Sequence, residues 1–147
     1  MGATHFSGLA ISPTNVTAST LSLTEWDHSG KVVTLNLAAG QALTLPAATG
    51  SGAKFTLFVG TTYTSDATVK VANASDTMAG SAIVDGTTST MFQTAADSDT
   101  ITLNGTTTGG VLGTQIVLED VAANVWMVNM LGNGSGTEAT PFSATVS

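Results

Sequence analysis

KVVTLNLAAGQALTLPAATGSGAKFTLFV, residues 31–59, is the stretch that decides the fold. In Val33-Thr34-Leu35-Asn36-Leu37 every second residue is apolar, which puts Val33, Leu35 and Leu37 on one face of a strand and leaves the other face polar. Ala38-Ala39-Gly40-Gln41 reads as a turn into Leu43-Thr44-Leu45. Pro46 ends that run because it has no N–H to give to a ladder. Beyond the small-residue loop 47–53, Phe55-Thr56-Leu57-Phe58-Val59 is apolar on both faces, as expected of a central strand covered on both sides.

Working outward, the first twenty residues are polar, contain Pro13 and hold no sustained period, so the expectation over 1–20 is an extended N-terminal arm. Downstream, Thr68-Val69-Lys70-Val71 alternates again. Asp85-Gly86, between Ala82-Ile83-Val84 and Thr90-Met91-Phe92, predicts a two-residue hairpin turn. Ile101 and Leu103 lead into a longer Thr- and Gly-rich loop through Gly110. Residues 115–119 and 124–130 predict a strand pair joined near Asp120 to Ala123, the second strand apolar on both faces. Gly132 to Gly136 is a break, and 132–147 forms a terminal segment. About nine short strands at roughly ten-residue spacing predict an all-β, single-domain antiparallel β-sandwich or jelly-roll-like barrel over 21–131. No repeat stands out; the recurrence of turn and alternating strand leaves room for a degenerate one, so a β-helix ranks second.

Composition agrees. Of 147 residues only 9% are charged, Thr is the commonest type, and Lys31, Lys54 and Lys70 are the only cations beside two histidines. Strands and tight turns use this vocabulary, whereas long helices draw on Leu, Glu, Lys, Gln and Arg. The net charge of -7 comes from ten scattered acids and keeps a low-charge surface soluble. Three separated lysines cannot displace the counterions of a phosphate backbone, so no nucleic-acid partner is expected, and an anionic membrane is disfavoured for the same reason. No apolar run approaches the ~20 residues of a membrane helix. The absence of cysteine excludes disulfides, thiolate metal sites and a cysteine nucleophile. The start lacks a basic, then apolar, leader, which fits synthesis in a cytoplasm.

Candidate chemistry is sparse. Asp27-His28-Ser29 unites the types of a catalytic triad, but adjacent residues point in different directions and do not make a relay. Asp97-Ser98-Asp99 and Glu119-Asp120 each offer two oxygen donors, too few to fill the shell of a hard cation. No phosphate-cradling glycine pattern opens a helix. The four Asn-x-Ser/Thr matches are what a Thr- and Ser-rich chain gives by chance. The expectation is therefore a protein that is not an enzyme and uses no cofactor and no metal. Trp126, Phe55 and Phe58 lie in apolar strands and are expected in the core, while Trp26 and Phe142 lie among polar residues and are candidate interface anchors.

The run from Leu43-Thr44-Leu45-Pro46-Ala47-Ala48-Thr49-Gly50 through Phe55-Thr56-Leu57-Phe58-Val59-Gly60 to Val71-Ala72-Asn73-Ala74-Ser75-Asp76 resembles a recurrent segment of tailed-bacteriophage virion structural proteins. Asp99-Thr100-Ile101-Thr102-Leu103-Asn104-Gly105 and the ending Gly134-Ser135-Gly136-Thr137-Glu138-Ala139-Thr140-Pro141-Phe142 do the same, so the resemblance runs from Leu43 to the C-terminus. Short members of that group without a coiled-coil stalk resemble head decoration, or cement, proteins. The resemblance implies a homotrimer on the capsid surface of the virion that binds the major capsid protein and stabilises the shell. A tail-fibre or receptor-binding module recognising a host glycan is the alternative. On this reading the interface residues are His5, Phe6, Leu9, Ile11 and Pro13 in the arm, with Trp26 and Phe142, and removal of residues 2–20 is expected to leave the β fold intact.

Overall fold

The computed structural model describes residues 11–146, which are almost wholly β. In chain order the elements are β1 (Thr14–Val16), β2 (Thr20–Ser22), a four-residue helix α1 (Glu25–His28), β3 (Val32–Leu35), β4 (Ala42–Thr44), β5 (Lys54–Val59) and β6 (Ala67–Lys70). They continue with β7 (Thr77–Asp85), β8 (Ser89–Gln93), β9 (Thr100–Leu103), β10 (Gln115–Ala122), β11 (Val125–Asn133) and β12 (Phe142–Ser143). A seven-stranded sheet has the order β1-β3-β5-β10-β11-β7-β8, and a five-stranded sheet the order β12-β9-β6-β4-β2.

The two-layer, all-β expectation holds, with one correction: strand directions are mixed, and neither sheet closes into a barrel. From β1 to β6 each connection crosses from one sheet to the other. Successive strands within a sheet are therefore two elements apart and run the same way. Thr14, Val33 and Leu57 align in one sheet, and Leu21, Leu43 and Val69 in the other. This is a short parallel coil whose unequal turns, 19 to 26 residues between aligned positions, hide the repeat in the sequence. The second half is hairpin-built, with β10 antiparallel to both β5 and β11, although β11 runs parallel to β7.

Alternation buries one face of each sheet against the other. Val33, Leu35, Phe55, Leu57, Ile116, Leu118, Trp126, Val128 and Met130 meet Leu43, Leu45, Val69, Ile101 and Leu103 in one cluster. Phe55 and Trp126 pack at 5.6 Å between ring centroids, tilted by 38°. As expected, Phe55 and Trp126 are core residues; Phe58 faces outward and is only half-buried. Among the described residues nothing covers the outer faces of β5 and β11, where Thr56 and Phe58 on β5, and Met127 and Leu131 on β11, line the outer side of the larger sheet.

Further differences lie in turns and at the N-terminus. Asp85 pairs with Ser89, so the hairpin loop is Gly86-Thr87-Thr88 and not the two-residue Asp85-Gly86 turn. Strands β10 and β11 run closer to their turn than expected, and Asn124 takes a left-handed conformation there (φ 64°) that Asn tolerates better than most residues. Of the stretch 1–20, residues 1–10 fall outside the described residues; Thr14–Val16 is the edge strand β1 and Thr20 begins the edge strand β2, so this part is sheet and not a free arm. Buried Gln41 ties it down: its Nε2 donates to the carbonyl oxygens of Val16 and Ala18, and its Oε1 accepts from the Tyr63 hydroxyl. Burial pushes the pKa of that hydroxyl well above its ordinary value.

Candidate interaction surfaces

The parallel strands β1, β3 and β5 begin at one end of the larger sheet, and antiparallel β10 finishes there. This end is built around Asp120. Its carboxylate accepts from the backbone N–H of Thr49 (2.9 Å), Gly50 (2.7 Å) and Ser51 (3.0 Å), and from the hydroxyls of Thr49 and Ser51. Burial works to raise the pKa of this carboxyl, but the N–H groups of Thr49, Ser51 and Gly50 and the Ser51 hydroxyl outweigh it, so the group stays below the ordinary carboxylate range.

The single Ser51 hydroxyl hydrogen is shared between Asp120 and Glu25, the first residue of α1. Thr24 caps that helix, accepting from the N–H of Asp27, while its own N–H donates to His28 Nδ1 at 3.0 Å. Ser29 Oγ accepts from the Lys54 N–H. Of the candidate triad, Ser29 ties the turn to β5, while Asp27 and His28 hold the turn itself together through Thr24. What the turn presents outward is Trp26, 93% exposed. Ile11, 62% exposed, and Pro13, also exposed, precede β1 at the same end, and Val32 and Val121 add partly exposed apolar side chains at the ends of β3 and β10.

Three of the expected interface residues, Ile11, Pro13 and Trp26, therefore share one end of the molecule. His5, Phe6 and Leu9 lie outside the described residues. Phe142, expected as an anchor, is instead buried in the core, paired with Ile101 of β9. Its segment is fastened by Asp99, which accepts from the N–H of Thr145 and Val146 and from the Thr100 hydroxyl. Here too burial raises the pKa, but the Thr145, Thr100 and Val146 bonds, helped by Lys70, bring it below its ordinary value. Glu119 and Asp120 point to opposite faces of β10, Asp97 is exposed while Asp99 is buried, and among the described residues no three His, Asp or Glu side chains form a metal-binding group.

A second surface was not foreseen. On the outer face of the larger sheet, register places Leu131 beside Ile83 and Ile83 beside Met91. Leu131 is 53% and Met91 62% exposed. These side chains belong to the β7–β8 hairpin and to β11, remote from it in sequence, so the parallel pairing of β11 with β7 is what completes the row. Ala82-Ile83-Val84 and Thr90-Met91-Phe92 read in the sequence as the strands flanking a hairpin; which residue of each faces solvent was not legible.

The chain matches no family model, and no curated protein and no solved structure matches it.

Proposed function

We propose that this chain is a non-enzymatic structural protein of a tailed-phage particle, a homo-oligomer, by resemblance a trimer, that decorates the head and docks on the major capsid protein through the Ile11, Pro13 and Trp26 end. The observation that carries the docking end is Trp26, an indole held in solvent on a capped helical turn that Ser29 ties to Lys54 of β5 and Glu25 ties to the Ser51 loop. Tryptophan is the residue type most often found at the energetic centre of an interface, and a side chain presented on a rigid support loses little freedom on binding. The polar ionisable residues support the same reading, because Asp99, Asp120 and His28 act as braces for loops. Stabilisation follows by mass action: a protein that binds the assembled shell more tightly than its free subunits shifts the equilibrium toward the shell.

An exposed indole also suits stacking on the apolar face of a sugar ring, so host-glycan recognition by a tail component stands second. Copy number per purified particle, measured by quantitative mass spectrometry against the major capsid protein, separates the two. Hundreds of copies mean head decoration; a few to some tens mean a tail component; none removes the virion reading. Trp26→Ala is expected to abolish attachment to purified shells while leaving the melting temperature unchanged, and undiminished attachment would rule out this end as the docking site.

A further inference from the structure

The β8 strand closes the larger sheet, and among the described residues no strand covers its far side. Thr94 donates to Gly80 and Gly86 donates to Thr88, which fixes the phase of the β7–β8 ladder: Thr90 and Phe92 bond inward to β7. The N–H and C=O groups of Ser89, Met91 and Gln93 consequently point out from the edge. The strand reads Ser-Thr-Met-Phe-Gln, with no charge, no proline and no bulge, and so lacks the devices that usually protect an edge.

We propose that β8 pairs antiparallel with β8 of a second copy about a twofold axis at Met91, making one continuous sheet across the two. Three features select a second copy. First, the outward-facing residues are symmetric about Met91, so Met91 meets Met91 of the second copy and Ser89 meets Gln93, each as a pair exchanging both backbone bonds. Second, the apolar row ends at the edge: Leu131, Ile83 and Met91 are continued by Met91, Ile83 and Leu131 of the second copy, while on the inner face half-buried Phe92 comes opposite Thr90. Third, the charges are compatible despite the -7 carried by each chain. Asp85 is the nearest carboxylate on this face and accepts from Ser89 Oγ; across the axis its row continues with Gln93 and Ser81 of the second copy, both neutral. Glu138 accepts from the Thr88 N–H and hydroxyl of its own chain. The inference does not rest on the phage assignment, and it uses a surface separate from the Trp26 end.

The absence of cysteine makes the register directly testable. In a pair of this kind the Cα atoms lie about 5.5 Å apart, within the roughly 4.4–6.8 Å that a disulfide spans. Met91→Cys should therefore oxidise to a covalent dimer on a denaturing gel. Ser89→Cys should not, because Ser89 lies four residues out of register with its own copy, about 14 Å away along the strands. A Met91→Cys protein that stays monomeric, or Ser89→Cys cross-linking equally well, overturns the proposal. Met91→Lys supplies a second readout: two like charges at the axis should halve the solution mass measured by light scattering while the melting temperature holds, and an unchanged mass at equal stability would defeat the proposal. Neither result depends on attachment to shells, so this contact and the docking end fail or succeed separately.

Discussion

Asp120 is 1% exposed and gathers five hydrogen bonds from Thr49, Gly50 and Ser51, which makes it the residue on which the Trp26 end depends. Removing the carboxylate leaves three backbone N–H groups without their acceptor, and bonds to a charged group contribute more than neutral ones. Asp120→Ala is expected to cost about 3 kcal/mol, measured by denaturant unfolding, with Asp120→Asn losing less. The pH dependence has a definite sign. Since folding lowers the pKa of Asp120 and Asp99, their contribution is fully present above the unfolded-state value of about 3.9 and is lost as pH falls through the lower folded values. Stability should be flat from neutrality down to about pH 5 and drop below about pH 4, and Asp120→Asn should flatten that acid limb; an unaltered slope would show that the acid loss comes from other carboxylates. Glu119-Asp120 had the look of a donor pair in the sequence, but period 2 already puts neighbours on opposite faces of a strand. What the sequence could not show was the partner, a loop some seventy positions away.

At the scale of elements, β7 and β11 are joined along nine residues each, and Gly80 pairs with Val128 in that ladder. A Cβ built there would lie 1.8 Å from the Val128 carbonyl oxygen, a backbone atom that cannot swing away. Gly80→Ala is expected to lose roughly 2–4 kcal/mol on chemical denaturation, more than the few tenths typical of an exposed strand position; near-neutral behaviour would mean that β7 slides outward without penalty. The strands themselves were legible. Val33, Leu35, Leu43, Leu45, Phe55, Leu57, Val69, Trp126 and Val128 are buried as alternation requires. Strand direction was not, because parallel and antiparallel neighbours show the same period of 2, and the coil from β1 to β6 has turns of unequal length. The short strand β1 escaped notice for a related reason. Three residues are too few to establish a period, and only Val16 of the three is buried.

For the molecule as a whole, the N-terminal region has two parts with different consequences. The sequence made residues 1–20 a separable arm, yet Val16 lies in the core cluster, the carbonyls of Val16 and Ala18 satisfy the buried Gln41 amide, and Asn36 donates its backbone N–H to Val16. Deleting residues 2–20 strips β1 from its sheet, bares the edge of β3 and leaves a buried amide without acceptors. The expected loss is about 3 kcal/mol or more, from one buried valine side chain and the orphaned amide together. Deleting only residues 2–10 preserves every contact described above. The pair of truncations therefore separates folding from docking. If the shorter deletion keeps the fold and still attaches to shells, attachment resides in Ile11, Pro13 and Trp26; if it keeps the fold and loses attachment, the first ten residues carry the contact. Because the longer deletion damages the sheet, its failure to bind would say nothing about an arm, and only the shorter one tests where the particle is gripped.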